Sequence, residues 1–122
     1  MHKKNFVYIL SLDKNPNVCK IGISKNPTQR VKNLQTGSPE KIIVFRAWSF
    51  DQMRDARKYE AIMHVALLDY KKFGEWFSVS PNQASALFMS IFQMIHDKDY
   101  EPEDFENLCK MIAHLAVERI SA

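Results

Sequence analysis

The N-terminal segment of the chain has the pattern of a β-hairpin. Residues 5–12 are rich in side chains that favour extended backbone, and residues 13–17, Asp-Lys-Asn-Pro-Asn, form a dense turn signal. A second β-rich segment follows at residues 18–23, so the pattern predicts two antiparallel strands joined by a five-residue loop. Because side chains alternate between the two faces of a strand, Tyr8 and Lys20 share one face if the hairpin register aligns them.

A short helix is predicted directly after the hairpin. Asn26 has a side chain that caps helices and Pro27 suits the first helical position, so we expect a helix at about residues 27–35. Gly37 is expected to end this helix in the left-handed conformation. Arg30 lies in the first turn, close to backbone N–H groups that attract phosphate oxygens. We therefore expect Lys20 and Arg30 to lie near one another.

A third strand and a long helix follow. Residues 41–48 are mostly apolar and β-branched and predict the most buried strand of the sheet. Asp51 is expected to cap the helix, and Glu60 and His64 lie one turn apart on it. They adjoin an apolar stripe that recurs every three or four positions and faces the sheet: Ala56, Tyr59, Met63, Ala66 and Leu67. Residues 73–79 predict a turn and a short extended segment.

Two more helices are predicted in the last third of the chain, starting near Ser80-Pro81 and Glu101-Pro102. We therefore divide the chain into a domain at residues 1–80 and a C-terminal helical extension at residues 81–122. The extension carries more large apolar side chains than one helix face requires: Phe88, Met89, Phe92, Met94 and Met111. We favour packing on the domain's own sheet, and a contact with a second copy or a protein partner is the alternative.

The distribution of charge favours a polyanionic partner. Residues 1–50 contain nine Lys and Arg against two Asp and Glu, and residues 51–122 contain eight against twelve. The two halves therefore carry +7 and −4 within a net charge of +3. A basic first half suits contacts to DNA phosphates, with Lys25, Arg30 and Lys32 as candidates, although an ordinary solvated surface would carry the same charge.

Composition excludes several other classes of protein. A chain of 122 residues is long enough for one domain with its own core. Cys19 and Cys109 are ninety positions apart and form neither a CxxC nor a His-flanked cluster, so a zinc site or disulfide framework is not expected. The N-terminal apolar segment alternates and ends at Asp13, which excludes a signal peptide or membrane span. We predict a cytoplasmic protein without a membrane partner.

Six separated elements of the sequence together resemble the GIY-YIG endonuclease superfamily, in particular its small phage-type and bacterial branch. They are Tyr8 in Val-Tyr-Ile, Lys20-Ile21-Gly22, Arg30, residues 34–39, Glu60 with His64, and Gly74-Glu75-Trp76-Phe77, and the match covers residues 6 to about 79. The resemblance implies an α/β (α+β) sandwich, with a three-stranded antiparallel sheet flanked by helices and two extra C-terminal helices. It also implies hydrolysis of DNA with Mg²⁺ (or Mn²⁺), in a phage or mobile-element setting.

The resemblance assigns a role to each polar residue of the set. Tyr8 would be the general base, and Lys20 would replace the tyrosine that is usual in the second motif. Lys20 and Arg30 would lower the pKa of Tyr8 below its ordinary value of about 10 and stabilise charge on the phosphate. Glu60 would be the metal ligand, since Mg²⁺ often takes only one or two carboxylates alongside waters and substrate oxygens.

The chain departs from the family pattern at Phe6, which replaces the glycine of the first motif, and at Leu34, where some relatives carry His or Tyr. His64 is either a second proton carrier, an outer partner of Glu60, or a histidine that only packs. The function we expect is that of a metal-dependent DNA endonuclease. The alternative is a non-catalytic DNA-binding or protein-interaction module on the same fold.

Overall fold

The computed structural model describes residues 4–98, 110–112, 114–116, 118 and 120. The strands are β1 (Asn5–Leu12), β2 (Asn15–Ser24), β3 (Ile42–Phe50), β4 (Lys71–Phe73) and β5 (Trp76–Phe77). The helices are α1 (Pro27–Gln35), α2 (Met53–Ala66), a short 3₁₀ helix (Leu68–Tyr70) and α3 (Pro81–Lys98). The described residues between 110 and 120 are also helical. None of the helices in this described part of the chain is long and apolar enough to cross a membrane.

The strands form one antiparallel sheet in the order β3-β1-β2-β5-β4. The mixed α/β class is therefore confirmed, but the sheet has five strands where three were predicted. β4 and β5 are three and two residues long, too short to show a periodic sequence pattern. The prediction that the third strand is the most buried was also wrong. β3 is an edge strand with only Ile42 buried, whereas β1 is central and has six buried residues.

The hairpin register brings Tyr8 and Lys20 to the same face, as predicted. Tyr8 lies opposite Gly22, and Leu10 lies opposite Lys20. The turn is shorter than expected, because β2 already begins at Asn15. The register shifts between Ser11 and Leu12, so the segment around Pro16 bulges from the ladder. Proline has no N–H to donate to a neighbouring strand, which explains why the irregularity occurs here.

α1 covers the sheet face that carries Tyr8. Its bounds agree with the prediction, and the Asn26 side chain caps it by accepting a hydrogen bond from the Gln29 N–H at 3.1 Å. Val31 and Leu34 pack into a small apolar cluster around the buried residues Tyr8, Leu10 and Ile42. Gly37 was expected to adopt a left-handed conformation, but the positive φ, 55°, belongs to Gly74 in the turn between β4 and β5.

α2 and α3 cover the opposite face of the sheet and form the main core. The α2 stripe is buried at Ala56, Tyr59, Ile62, Met63 and Ala66. The rings of Trp48 on β3 and Phe88 on α3 stack with their centroids 3.9 Å apart. Asp51 does not cap α2 as predicted. Gln52 is the cap residue, without a side-chain cap bond, and Asp51 pairs with Lys4.

Residues after position 80 contribute to this same core. Ala84, Leu87, Phe88 and Ile91 on α3 are buried in one cluster with β1 and β2, and Ile112 and Ala116 belong to it as well. Met89 and Met111 are 48% and 44% exposed. The predicted start of the last helix at residues 101–102 lies outside the described residues. The division at residue 80 and the contact with a second copy or a partner stay predictions.

Candidate functional site

β2 extends beyond the strand that pairs with its outer edge. β5 pairs only with Cys19 and Lys20, and the chain then turns through Gly74 and Glu75 into β4. Residues 21–24 of β2 therefore form an edge that β5 leaves open. We call this the open edge of β2. Side chains from β1 and α1 on one sheet face, from α2 on the other, and from the β4–β5 turn meet around it.

Tyr8 reaches this edge across Gly22. The phenol ring lies over the glycine, and a Cβ atom at position 22 would overlap the phenol oxygen. Tyr8 itself is 2% exposed. Arg30 on α1 is exposed and donates a hydrogen bond to the Tyr8 hydroxyl. An exposed guanidinium group thus lies beside the buried phenol, and it has more N–H donors than one hydroxyl oxygen can accept from.

Lys20 is held by a carboxylate. Its Nζ atom lies 2.9 Å from Oε2 of Glu75, and the side chains are 10% and 52% exposed. The hydrogen bond from Lys20 is the largest cause that lowers the pKa of Glu75. Lys20 lies directly opposite Trp76 in the β2–β5 ladder, so the neighbouring residue Glu75 is within reach of the ammonium group. The buried ammonium group of Lys20 is therefore paired with a carboxylate whose side chain is about half exposed to solvent.

Glu60 and His64 approach the open edge from α2. His64 Nε2 donates to the Ile21 carbonyl oxygen at 2.9 Å, and its ring packs edge-on against Phe77 at 5.2 Å between centroids. Because Nε2 carries the hydrogen that it donates to this carbonyl, Nδ1 is the ring nitrogen with a free lone pair in the neutral ring. Burial raises the pKa of Glu60, the Glu75 carboxylate raises it further, and His64 and Arg57 oppose this rise. His64 therefore holds α2 against β2 through this hydrogen bond and also acts to lower the pKa of Glu60.

The direction predicted for the pKa of Tyr8 was wrong. Burial of the phenol is the largest effect and raises its pKa, and the carboxylates of Glu75 and Glu60 act in the same direction. Arg30 lowers it by hydrogen bond and by charge, without reversing the rise. Lys20 was expected to help, but its ammonium group is paired with Glu75. The phenol consequently keeps its proton at neutral pH.

We predict that Tyr8 ionises at a higher pH than an ordinary tyrosine and that Arg30→Gln raises this pH further. The reason is that the substitution removes the one cation that favours the phenolate. The measurement is the tyrosinate absorbance of each protein minus that of its Tyr8→Phe counterpart, since Tyr59 has a raised pKa as well. Arg46→Gln is the matched control and should leave the Tyr8 titration unchanged. Ionisation of Tyr8 below about 10 would contradict the assignment.

The carboxylates present suit a hard divalent cation such as Mg²⁺ or Mn²⁺ better than a softer metal such as zinc. Among the described residues there is no group of three or more His, Cys, Asp and Glu side chains that could enclose a metal ion. Glu60 nevertheless has a carboxylate whose charged form is disfavoured by burial and by Glu75. A cation near both carboxylates would relieve this penalty. Mg²⁺ needs few protein ligands because it keeps several waters and takes substrate oxygens.

The three predicted DNA-contact residues do not point in one direction. Lys25, Arg30 and Lys32 are all exposed. Residues two apart on a helix do not share a face, so Lys32 is directed away from Arg30. Lys25 precedes the cap residue of α1 and is at the same end of the helix as Arg30. Contact of Lys25 and Lys32 with DNA stays a prediction.

Glu75 was given no role in the predicted site, because its segment was expected to be structural and its reach toward the site was only an alternative; it pairs with Lys20 and raises the pKa of both Tyr8 and Glu60. The available signal was its place after Gly74, the glycine with positive φ. A tight turn at that glycine is what brings Glu75 beside Lys20. The pairing of β5 with β2 is not visible in the sequence, so an ion pair between Lys20 and Glu75 could not be predicted from it.

Comparison with known proteins corrects the family named from the short motifs. The T5orf172 domain family has a model that matches residues 5–92, and this finding overturns the assignment to the GIY-YIG superfamily. The chain is also similar to KilA-N domain-containing protein 315L of Invertebrate iridescent virus 6, with 32% identity over 91 residues. That match covers 75% of this chain, and the chain spans only 39% of the length of the relative. No solved structure matches the chain significantly. The chain belongs to the T5orf172 domain family.

Proposed function

We propose that this chain is a metal-dependent DNA endonuclease. The observation that supports the proposal is the convergence at the open edge of β2 of an Arg30–Tyr8 hydrogen bond, a Lys20–Glu75 ion pair and the Glu60 carboxylate. Two cations near a phenol and two carboxylates suit the binding of a phosphate diester together with a divalent ion. The net charge of +7 over residues 1–50, from nine basic and two acidic residues, favours DNA as the source of that phosphate.

In this proposal, Arg30 holds the scissile phosphate. Its guanidinium group is exposed and oriented by the Tyr8 hydroxyl, and guanidinium groups bind two phosphate oxygens at once. Lys20 supplies a second positive charge when a phosphate oxygen replaces the Glu75 carboxylate, whose side chain is 52% exposed. Together they would stabilise the charge that develops on the phosphate during hydrolysis.

Hydrolysis adds the oxygen of a water molecule to phosphorus, breaks a P–O bond and moves a proton from the water to the leaving oxygen. Tyr8 is the proposed base, and it can take the proton only in its ionised form. Because burial raises its pKa, that form is a small fraction at neutral pH and the cleavage rate should increase as pH rises. Glu60 would hold a Mg²⁺ or Mn²⁺ ion, which supplies positive charge to a phosphate oxygen.

A second candidate function is DNA binding without cleavage. The raised pKa of Tyr8 favours it, since a phenol that holds its proton is a weak base but still donates a hydrogen bond to phosphate. The Lys20–Glu75 ion pair would then serve only to attract the DNA backbone and to hold β5 on β2. This module would bind DNA equally well in the presence of a chelator.

The test is nicking of supercoiled DNA with Mg²⁺ or Mn²⁺, with and without EDTA, by the wild-type protein and Glu60→Gln. We expect EDTA to abolish nicking and Glu60→Gln to lower its rate by about 100-fold or more, because metal stabilisation of transition-state charge is worth several kcal/mol. Glu118→Gln is the matched control, since Glu118 is exposed and pairs with His114. It should nick at the wild-type rate.

The same Glu60→Gln variant should melt at a higher temperature than the wild type at pH 7. In the wild type, folding raises the pKa of Glu60, so the ionised carboxylate lowers the free energy of unfolding at neutral pH. Glutamine carries no charge and should remove this loss of stability. The difference should vanish as pH falls below about 4, where the carboxyl group is protonated in both states. Loss of nicking together with a higher melting temperature would show that Glu60 acts in the site and is not needed for folding.

Nicking that survives EDTA or Glu60→Gln refutes the metal role, and binding without nicking establishes the second candidate.

A further inference from the structure

A cavity of about 330 Å³ lies beside the Lys20–Glu75 pair, on the sheet face that α1 covers. Its floor is a row of side chains across β2, β5 and β4. Lys20 lies opposite Trp76 in one ladder, and Trp76 lies opposite Phe73 in the next, so the three share a face. The cavity is therefore continuous with the candidate site through Lys20.

The outer end of this floor is aromatic and accessible. Phe73 is 60% exposed, so its ring is accessible to a ligand. The Lys20 Nζ atom lies 6.0 Å from the centre of the Trp76 ring. Aromatic rings beside a cation are the usual platform for unstacked nucleobases, each of which has a face for stacking and a phosphate for the cation.

The opposite wall is a loop held in one conformation by Gln35. Its amide nitrogen donates to the Glu40 carbonyl oxygen at 2.8 Å, and its amide oxygen accepts from the Ile42 N–H at 2.8 Å. The Ser38 hydroxyl donates to the same Glu40 carbonyl oxygen at 2.9 Å. Glu40 lines the cavity, and its Oε2 atom is buried without a hydrogen-bond partner among the described residues. Since Oε2 is closed to solvent, a ligand in the cavity would meet the Glu40 carboxylate at its other oxygen.

We propose that this cavity binds one unpaired nucleobase of a DNA strand, next to the phosphate at Lys20, and prefers a base with an exocyclic amino group. The inference rests on the proposed function. Trp76 and Phe73 would stack on the base, and Glu40 would accept a hydrogen bond from its amino group, as carboxylates do from cytosine. The volume is at the lower end for small-molecule cavities and suits one base rather than a duplex.

The test compares the affinity for three DNA duplexes in EDTA, where no metal-dependent cleavage occurs. One duplex is fully paired, one has a single unpaired cytosine and one has a single unpaired thymine. We expect the unpaired cytosine to bind at least about fivefold more tightly than the paired duplex, since base stacking on aromatic side chains contributes about 1–3 kcal/mol. Thymine has no exocyclic amino group and should bind less tightly than cytosine.

Two variants test whether the cavity causes the preference for an unpaired cytosine. Phe73→Ala should remove the advantage of the unpaired base, and Leu68→Ala, at a side chain that is 61% exposed and outside the cavity, is the matched control. Glu40→Gln keeps the volume of the side chain and should make cytosine and thymine bind equally. Circular dichroism of each variant confirms folding.

Each outcome has a defined meaning. Equal affinity for the three duplexes, or an unchanged preference in Phe73→Ala, overturns the base subsite while the nuclease proposal stands on its own nicking test. Failure of the wild type to bind any of the duplexes in EDTA overturns the base subsite and the non-cleaving DNA-binding candidate, and the nuclease proposal is then decided by the nicking test. A preference for thymine, or one that survives Glu40→Gln, refutes the role of Glu40 and with it the predicted amino-group selectivity.

Discussion

Arg30→Ala is expected to lower the rate of DNA nicking by about 10²–10³-fold, the range found when a positioned donor to transition-state charge is removed. Arg30 is the exposed cation of the site, and it lies close enough to the Tyr8 hydroxyl to lower the pKa of the phenol by hydrogen bonding and by charge. The substitution removes both the charge and the hydrogen bond. Since Arg30 is exposed on a surface helix, the melting temperature should change little, and single-turnover nicking with Mg²⁺ is the measurement.

Two further variants sharpen this prediction. Arg30→Lys keeps the charge but cannot bind two phosphate oxygens in a planar fork, so most of the loss should persist. Arg46→Ala is the matched control, because Arg46 is exposed and lies opposite Ile9, on the sheet face away from Tyr8. It should nick at the wild-type rate. Equal losses in Arg30→Ala and Arg46→Ala would show that general positive charge, and not the site, is responsible.

Gly22→Ala is expected to destabilise the fold by about 1–3 kcal/mol, the usual cost of forcing extra atoms into a packed interior. The added methyl group would overlap the Tyr8 phenol, which is 2% exposed and has little room to move. Displacing the ring also removes the hydroxyl from Arg30, so nicking should fall even at temperatures where the variant is folded. Chemical denaturation and single-turnover nicking together measure the two effects.

The chain supplies a matched control for this substitution. Gly37 has no atoms within 4 Å of an added Cβ, so Gly37→Ala should leave stability unchanged or raise it slightly. A Cβ at Gly22 would lie closest to the Tyr8 hydroxyl oxygen and 2.6 Å from the ring carbon Cζ, so Gly22→Ala should cost less in a Tyr8→Phe background but still be destabilising. Equal costs in both backgrounds would show that the clash with the hydroxyl is not the cause.

Local patterns predicted the parts of the fold that depend on neighbouring residues. The helix at residues 27–35 follows from Asn26, Pro27 and the apolar spacing after them, and its observed bounds are the same. The shared face of Tyr8 and Lys20 follows from strand alternation once the hairpin forms. These features need no information about the rest of the chain, which is why the sequence was sufficient for them.

Features that depend on long-range packing were missed. The two short strands β4 and β5 exist because Trp76 and Phe77 pair with Lys20 and Cys19, more than fifty residues earlier. That pairing also brings Glu75 to Lys20, so the ammonium charge is paired with a carboxylate and is not among the effects that lower the pKa of Tyr8. The pKa of Tyr8 was misjudged for a related reason, because its burial depends on Gly22 and on α1 packing over it.

Because β5 is only two residues long, the tip of the β4–β5 hairpin is expected to open on heating before the rest of the sheet. Residues 71–75 are all exposed, while Phe77 is buried in the main core. The tip of the β4–β5 hairpin can therefore open while Phe77 stays anchored, and such local openings need less free energy than global unfolding. Opening would carry Glu75 and Phe73 away from the site. The proposed nicking activity should then be lost at a lower temperature than the sheet itself unfolds, because the hairpin tip opens first.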